Sequence, residues 1–127
     1  MATKNTCRVL VVDDDKDTAQ TFAYILVAMG HEAAFLTDAR QVIEAAERTQ
    51  PDIIFLDIGM PGMNGWEVAK LLRKQYSHDG PLRLVAISGR GDEDARIRSR
   101  QAGFDAHIQK PVEPELVEAI IRQFFAR

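Results

Sequence analysis

Ile53-Ile54-Phe55-Leu56-Asp57 is the stretch that decides the fold. Four apolar residues follow one another without polar alternation. This pattern reads as a strand buried on both faces, as in a parallel sheet covered by helices on either side. The run stops on a carboxylate and passes into a turn-rich loop containing Gly59, Pro61, Gly62, Asn64 and Gly65. Three other short runs have the same form. Val9-Leu10-Val11-Val12 stops at Asp13-Asp14, Leu84-Val85-Ala86-Ile87 at Ser88, and Ala106-His107-Ile108-Gln109 at Lys110-Pro111. Parallel strands of an open α/β sheet carry their ligand beyond their carboxyl ends. If the runs lie side by side, three carboxylates, one hydroxyl and one ammonium meet in one crevice.

Helix-period segments separate the strands, as βαβ units require. Ala19, Phe22, Ala23 and Leu26 mark a first helix from about Asp15, with Gly30 as its stop. His31 to Leu36 reads as a weaker strand at a sheet edge. Asp38 is placed to cap a second helix with Ala39, Val42, Ile43 and Ala46 on its apolar face. A third helix carries Val68, Leu71 and Leu72. The fourth, about Asp92 to Gln101, has little apolar surface beyond Ala95, Ile97 and Ala102, so weak anchoring is expected. A last helix follows Pro114 with Leu116, Val117, Ile120, Ile121 and Phe124 on one stripe. Five strands and five helices form one α/β domain over residues 1–127, with a core of about 7–126.

Composition excludes several classes. The chain is 46% hydrophobic and 28% charged, ordinary for a globular protein. A net charge of −3 gives no footprint for general nucleic-acid or membrane-surface binding. No apolar run approaches the ~20 residues of a membrane span, and the first residues lack the apolar core of a signal peptide. The single cysteine, Cys7, has no internal disulfide partner and opens an apolar run, so a buried thiol in a cytoplasmic protein is expected.

Adjacent carboxylates repel, and one pKa rises unless a cation neutralises them. Mg²⁺ suits such a site because it takes hard oxygen ligands and keeps part of its water shell. Asp13-Asp14-Asp15 alone serves equally well as a helix cap. Asp57 shifts the balance, since a carboxylate at a central strand end can be a metal ligand, a nucleophile toward phosphorus, or both. Phosphoryl transfer asks mainly for positioning and charge neutralisation. Lys110 and the hydroxyl of Ser88 offer both at the neighbouring strand ends.

At these residues the chain resembles the receiver domains of two-component response regulators. The resemblance rests on Val11-Val12-Asp13-Asp14, Leu56 to Gly65, Ile87-Ser88-Gly89 and Gln109-Lys110-Pro111, in that order and spacing. It implies a single doubly wound (βα)5 sheet of flavodoxin-like order 2-1-3-4-5. It also implies roles. Asp57 would accept phosphoryl from a sensor histidine kinase or a phosphotransfer domain. Asp13, Asp14, Asp57 and the Gly59 backbone carbonyl would hold Mg²⁺, while Ser88 and Lys110 would bind phosphoryl oxygens. The Lys110–Pro111 bond would be cis. Such a protein signals, and catalyses only its own phosphorylation and dephosphorylation. A haloacid-dehalogenase-like phosphatase, the main enzyme alternative, would place a second Asp where Gly59 stands. A binding module without phosphoryl chemistry would not need the acids, hydroxyl and lysine together.

One position departs from the family. Receivers mostly carry Tyr or Phe three residues before the lysine, where this chain has His107. An aromatic-like switch, a fixed ring and a plain edge-strand histidine are all open readings, with Ser88 as the hydroxyl member of the switch. The segments Gly59 to Ala69 and Ala102 to His107 further resemble receivers of hybrid histidine kinases. With all of residues 1–127 read as one receiver, output without an attached effector domain is the expectation. A stand-alone receiver, or one from a longer kinase, would then act through its own surface or by onward phosphoryl transfer. The fourth helix, fifth strand and fifth helix are the expected partner face, including for a homodimer, with no nucleic-acid or membrane contact by this chain.

Overall fold

The computed structural model describes residues 6–60 and 64–125. Among them, strands and helices alternate as β1 (Arg8–Val12), α1 (Lys16–Ala28), β2 (Glu32–Leu36), α2 (Val42–Thr49), β3 (Ile53–Asp57), α3 (Gly65–Gln75), β4 (Arg83–Ser88), α4 (Glu93–Ala102), β5 (Ala106–Gln109) and α5 (Pro114–Phe125). All neighbouring strands are parallel, in the order β2-β1-β3-β4-β5. This is the expected doubly wound α/β sheet. The chain winds outward from β1 to β2, then returns to β3 on the other side of β1. That reversal opens a crevice at the carboxyl ends of β1 and β3.

Strand alternation divides the core into two layers. Leu10, Val12, Ile54, Leu56, Leu84 and Ala86 pack with α2, α3 and the end of α4. Val9, Val11, Ile53, Phe55, Val85 and Ile87 pack with α1 and α5. β3 is buried along its whole length, and the Phe55 ring meets Phe22 of α1 at 5.0 Å between centroids. A side chain such as Phe55 buries enough apolar surface to contribute roughly 1.5–3 kcal/mol. The strand that carries Asp57 is therefore the most firmly held element of the sheet.

Side-chain caps connect strand ends to helices. Asp15 accepts from the Asp17 N–H, Asn64 from Trp66 and Asp92 from Ala95. Each such cap stabilises its helix by about 1 kcal/mol. Asp38 does cap, but it caps a 3₁₀ turn, Ala39–Gln41, that leads into α2. A Cβ at Gly65 would overlap the Ile58 backbone, so only glycine lets α3 begin this close to the end of β3. Pro61, Gly62 and Met63 of the same loop, and Ala126 at the edge of the expected core, lie outside the described residues.

Three expected core positions are corrected. Leu71, Ile97 and Leu116 are 41%, 38% and 42% exposed. The inward face of α3 is Val68, Ala69 and Leu72, and that of α4 is Ala95, Ser99 and Ala102. Among the described residues no helix is long and apolar enough to cross a membrane.

Candidate functional site

The crevice gathers the expected groups. Asp13 follows β1 and Asp57 ends β3, and both are only 5% exposed. Asp14 is exposed at the rim. Carboxylate oxygens of Asp13, Asp14 and Asp57 all lie within 4.8 Å of one another. Lys110, just past β5, reaches across with its Nζ 2.8 Å from Asp57 Oδ2 and 3.4 Å from Asp13 Oδ2. The Lys110–Pro111 peptide is cis, as the resemblance implied. Backbone donors fix the acids: the Gly59 N–H donates to Asp57 Oδ1 at 2.8 Å, and the Asp15 N–H to Asp13 Oδ1 at 2.9 Å. The three consecutive acids thus divide their roles, with Asp15 capping α1 and its two predecessors facing the crevice.

The charges are unbalanced. At 4.8 Å, two buried carboxylates repel by roughly 3 kcal/mol for an effective dielectric of ~20. Burial raises the Asp13 pKa above its ordinary value, and the Asp57 carboxylate adds to the rise. The Asp15 N–H and the Lys110 ammonium oppose the rise without cancelling it. For Lys110, burial works against the ammonium, but the hydrogen bond and charge of Asp57, with Asp13 behind, outweigh it and raise its pKa. Three carboxyl groups face a single ammonium, an excess of acidic oxygens that a divalent cation would complement. A set of carboxylate oxygens fits Mg²⁺ in both charge and hardness.

Ser88 closes β4 at 4% exposure, beside the strand that ends in Asp57. Its Oγ accepts the Arg90 N–H at 2.9 Å. The Arg90 guanidinium turns away from the crevice and clasps Asp92 at 3.0 Å. His107 is held at both ring nitrogens, Nδ1 2.8 Å from Ser99 Oγ and Nε2 2.8 Å from the Arg90 carbonyl oxygen. Ser99, 1% exposed, also accepts the Trp66 indole N–H at 3.0 Å.

The expected weak anchoring of α4 is therefore replaced by polar anchoring. Arg96 adds a bond to the Gly91 carbonyl at 3.2 Å. Sequence reading missed Ser99 and the indole of Trp66. The available signal was the spacing of Ala95, Ser99 and Ala102 at i, i+4 and i+7, which puts a serine on the buried stripe.

Comparison with known proteins agrees with this geometry. Residues 9–122 match the response regulator receiver domain family. The DNA-binding response regulator MtrA of Mycobacterium tuberculosis is 32% identical over 115 residues, covering 91% of this chain and 49% of MtrA. The transcriptional regulatory protein PrrA of the same organism is 36% identical over 114 residues, covering 89% of this chain and 48% of PrrA. The chain thus spans about half the length of these relatives. Among solved structures, the CheY-like receiver domain protein of Methanospirillum hungatei superposes with a TM-score of 0.82 at 28% identity, covering 92% of each chain. Chemotaxis protein CheY4 of Vibrio cholerae superposes at 0.86 with 24% identity, covering 94% of this chain and 98% of CheY4, a likeness of fold.

Proposed function

The chain belongs to the response-regulator receiver family of two-component signalling, and from that premise we propose that Asp57 is its phosphoacceptor. One observation carries the proposal: a buried carboxylate at the end of the central strand, with one oxygen on the Lys110 ammonium and two further acids within 4.8 Å. The donor is a phosphohistidine of a sensor histidine kinase or a phosphotransfer domain. An Asp57 oxygen forms the new bond to phosphorus as the phosphorus–nitrogen bond breaks, and the imidazole nitrogen keeps that electron pair.

Asp13, Asp14, Asp57 and the Gly59 carbonyl would hold Mg²⁺, which neutralises charge on the phosphoryl oxygens. This chain's own residues do the rest. The Gly59 N–H orients the Asp57 carboxylate. Lys110, already bonded to Asp57, is within reach of a phosphoryl oxygen arriving there. Ser88 can donate its hydroxyl hydrogen to another, because at rest that oxygen is an acceptor from Arg90. The phosphoryl group adds about −1.5 to −2 charges to the crevice. In this reading the chemistry is limited to the chain's own phosphorylation and dephosphorylation, in the cytoplasm.

Output passes through the face of α4, β5 and α5, where exposed Ile97 and Leu116 offer apolar contacts, including to a second copy. A net charge of −3 favours protein partners over direct contact with nucleic acid. Incubation with acetyl phosphate and Mg²⁺, followed by intact-mass measurement, tests the assignment. One phosphoryl mass is expected in the wild type and none in Asp57→Asn. Equal uptake by the variant would refute it.

A further inference from the structure

We infer that the phosphoryl pocket is connected by a one-way chain of hydrogen bonds, through His107 and Ser99, to the indole of Trp66 at the α3–α4 junction. The inference rests on the proposed role of the pocket and adds a second place where its occupancy is felt. Four contacts make the chain: Arg90 N–H to Ser88 Oγ, the Arg90 carbonyl to His107 Nε2, His107 Nδ1 to Ser99 Oγ, and Ser99 Oγ to Trp66 Nε1, all between 2.8 and 3.0 Å.

Chemistry sets the direction. A carbonyl only accepts, so His107 Nε2 carries a hydrogen. An indole N–H only donates, so Ser99 Oγ accepts from Trp66. In the neutral imidazole Nδ1 then has a lone pair, which the Ser99 hydroxyl hydrogen fills. Every donor and acceptor along the path is matched in a single arrangement. No buried side-chain nitrogen or oxygen lacks a partner among the described residues. Such a network has no slack: displacing one member leaves the next with an unmet bond.

The weak point is Arg90. Gly89 and Gly91 flank it, and the surroundings of Gly89 are open. When Ser88 turns toward a phosphoryl oxygen, Arg90 follows its acceptor and withdraws its carbonyl from His107 Nε2. The ring then reorients, Ser99 loses its acceptor, and the indole bond changes. One face of that indole is covered by the Arg98 guanidinium, 4.0 Å from the ring centroid. The signal therefore reaches an exposed cation on α4 as well as the β5 side. His107 is a positioning residue in this scheme, tethered at both ends where a phenol or phenyl ring would be tethered at one or none.

Trp66 is the only tryptophan in the chain, so its indole N–H gives one unambiguous NMR peak. With acetyl phosphate and Mg²⁺, the wild-type peak is expected to shift to a new position whose intensity tracks the phosphorylated fraction by intact mass. In His107→Phe the peak starts displaced and stays in place while the phosphoryl mass still appears. In resting Ser88→Ala, with no phosphoryl donor, the peak is displaced because Arg90 has lost its acceptor. A wild-type peak unmoved at full phosphorylation overturns the inference, as does an equal shift in His107→Phe. Absence of any phosphoryl mass in the wild type strikes the proposed function instead. The resting Ser88→Ala and His107→Phe spectra then decide the chain, and peaks coincident with wild type in both reject it.

Discussion

β3 and α4 lie in the same domain and are held by opposite means. β3 is enclosed on both faces by apolar side chains, and each of its residues is buried. α4 puts only Ala95, Ser99 and Ala102 inward and leaves Ile97 partly exposed, so the bond Ser99 accepts from Trp66 and the one Arg96 donates to Gly91 help to anchor it. Apolar packing is non-directional and summed over many contacts, so it fixes a strand without offering it a second position. Hydrogen bonds are directional and few, so a shift in one partner is felt by the next group along. The acids and Asp57 stand on β1 and β3, the elements that should not move. Ser88, Arg90 and His107 stand around α4, where a small change in bonding can be transmitted.

The largest expected effect tests the rigid half. Phe55→Ala removes a fully buried ring that packs on Phe22, and should destabilise the fold by about 3–5 kcal/mol, read as a lower urea midpoint. Ser99→Ala tests the polar half. It strips one hydroxyl but leaves the Trp66 N–H and His107 Nδ1 without their partner. A loss of about 1–3 kcal/mol is expected from the same urea titration. If Ser99→Ala costs nothing measurable, α4 is held by something other than these bonds and the contrast with β3 fails.

Much of this was legible in the sequence, for a definite reason. Strands buried on both faces announce themselves as unbroken apolar runs, and the residue that ends each run sits at the sheet's carboxyl edge. Asp13, Asp57, Ser88 and Lys110 could be placed from that rule alone. The anchoring of α4 could not, because counting apolar residues makes a serine look neutral. The Trp66–Ser99 bond joins residues 33 apart, which no local periodicity encodes.

Arg73 was invisible for the same reason. Near the end of α3, its side chain is only 9% exposed. It bonds the Asp105 carboxylate at 2.8 Å and the carbonyls of Gly103 and Leu82 at 2.9 Å, locking the far edge of the sheet. Burial works against this guanidinium and lowers its pKa, although Asp105 opposes the shift.

The smallest expected effect sharpens the comparison at the site itself. Asp13 is buried on the rigid half, where the surroundings cannot relax around its charge, and its folded-state pKa is raised chiefly by that burial. Between the unfolded value of 3.8 and the higher folded value, the native state therefore binds more protons than the unfolded chain. Stability then falls as pH rises through this window, and the penalty persists at neutral pH. Asp13→Asn keeps an oxygen for the Asp15 N–H, leaves Lys110 bonded to Asp57, and removes the buried charge. Without divalent cations it should give a slightly higher thermal midpoint at pH 7 than the wild type, and a flatter dependence on pH just above 3.8. Adding Mg²⁺ should raise the wild-type midpoint and narrow the gap, since a ligand that binds only the folded state stabilises it by mass action. A variant less stable than the wild type in metal-free buffer would mean that Lys110 and the Asp15 N–H outweigh burial, and that the acids of the crevice are balanced without a cation.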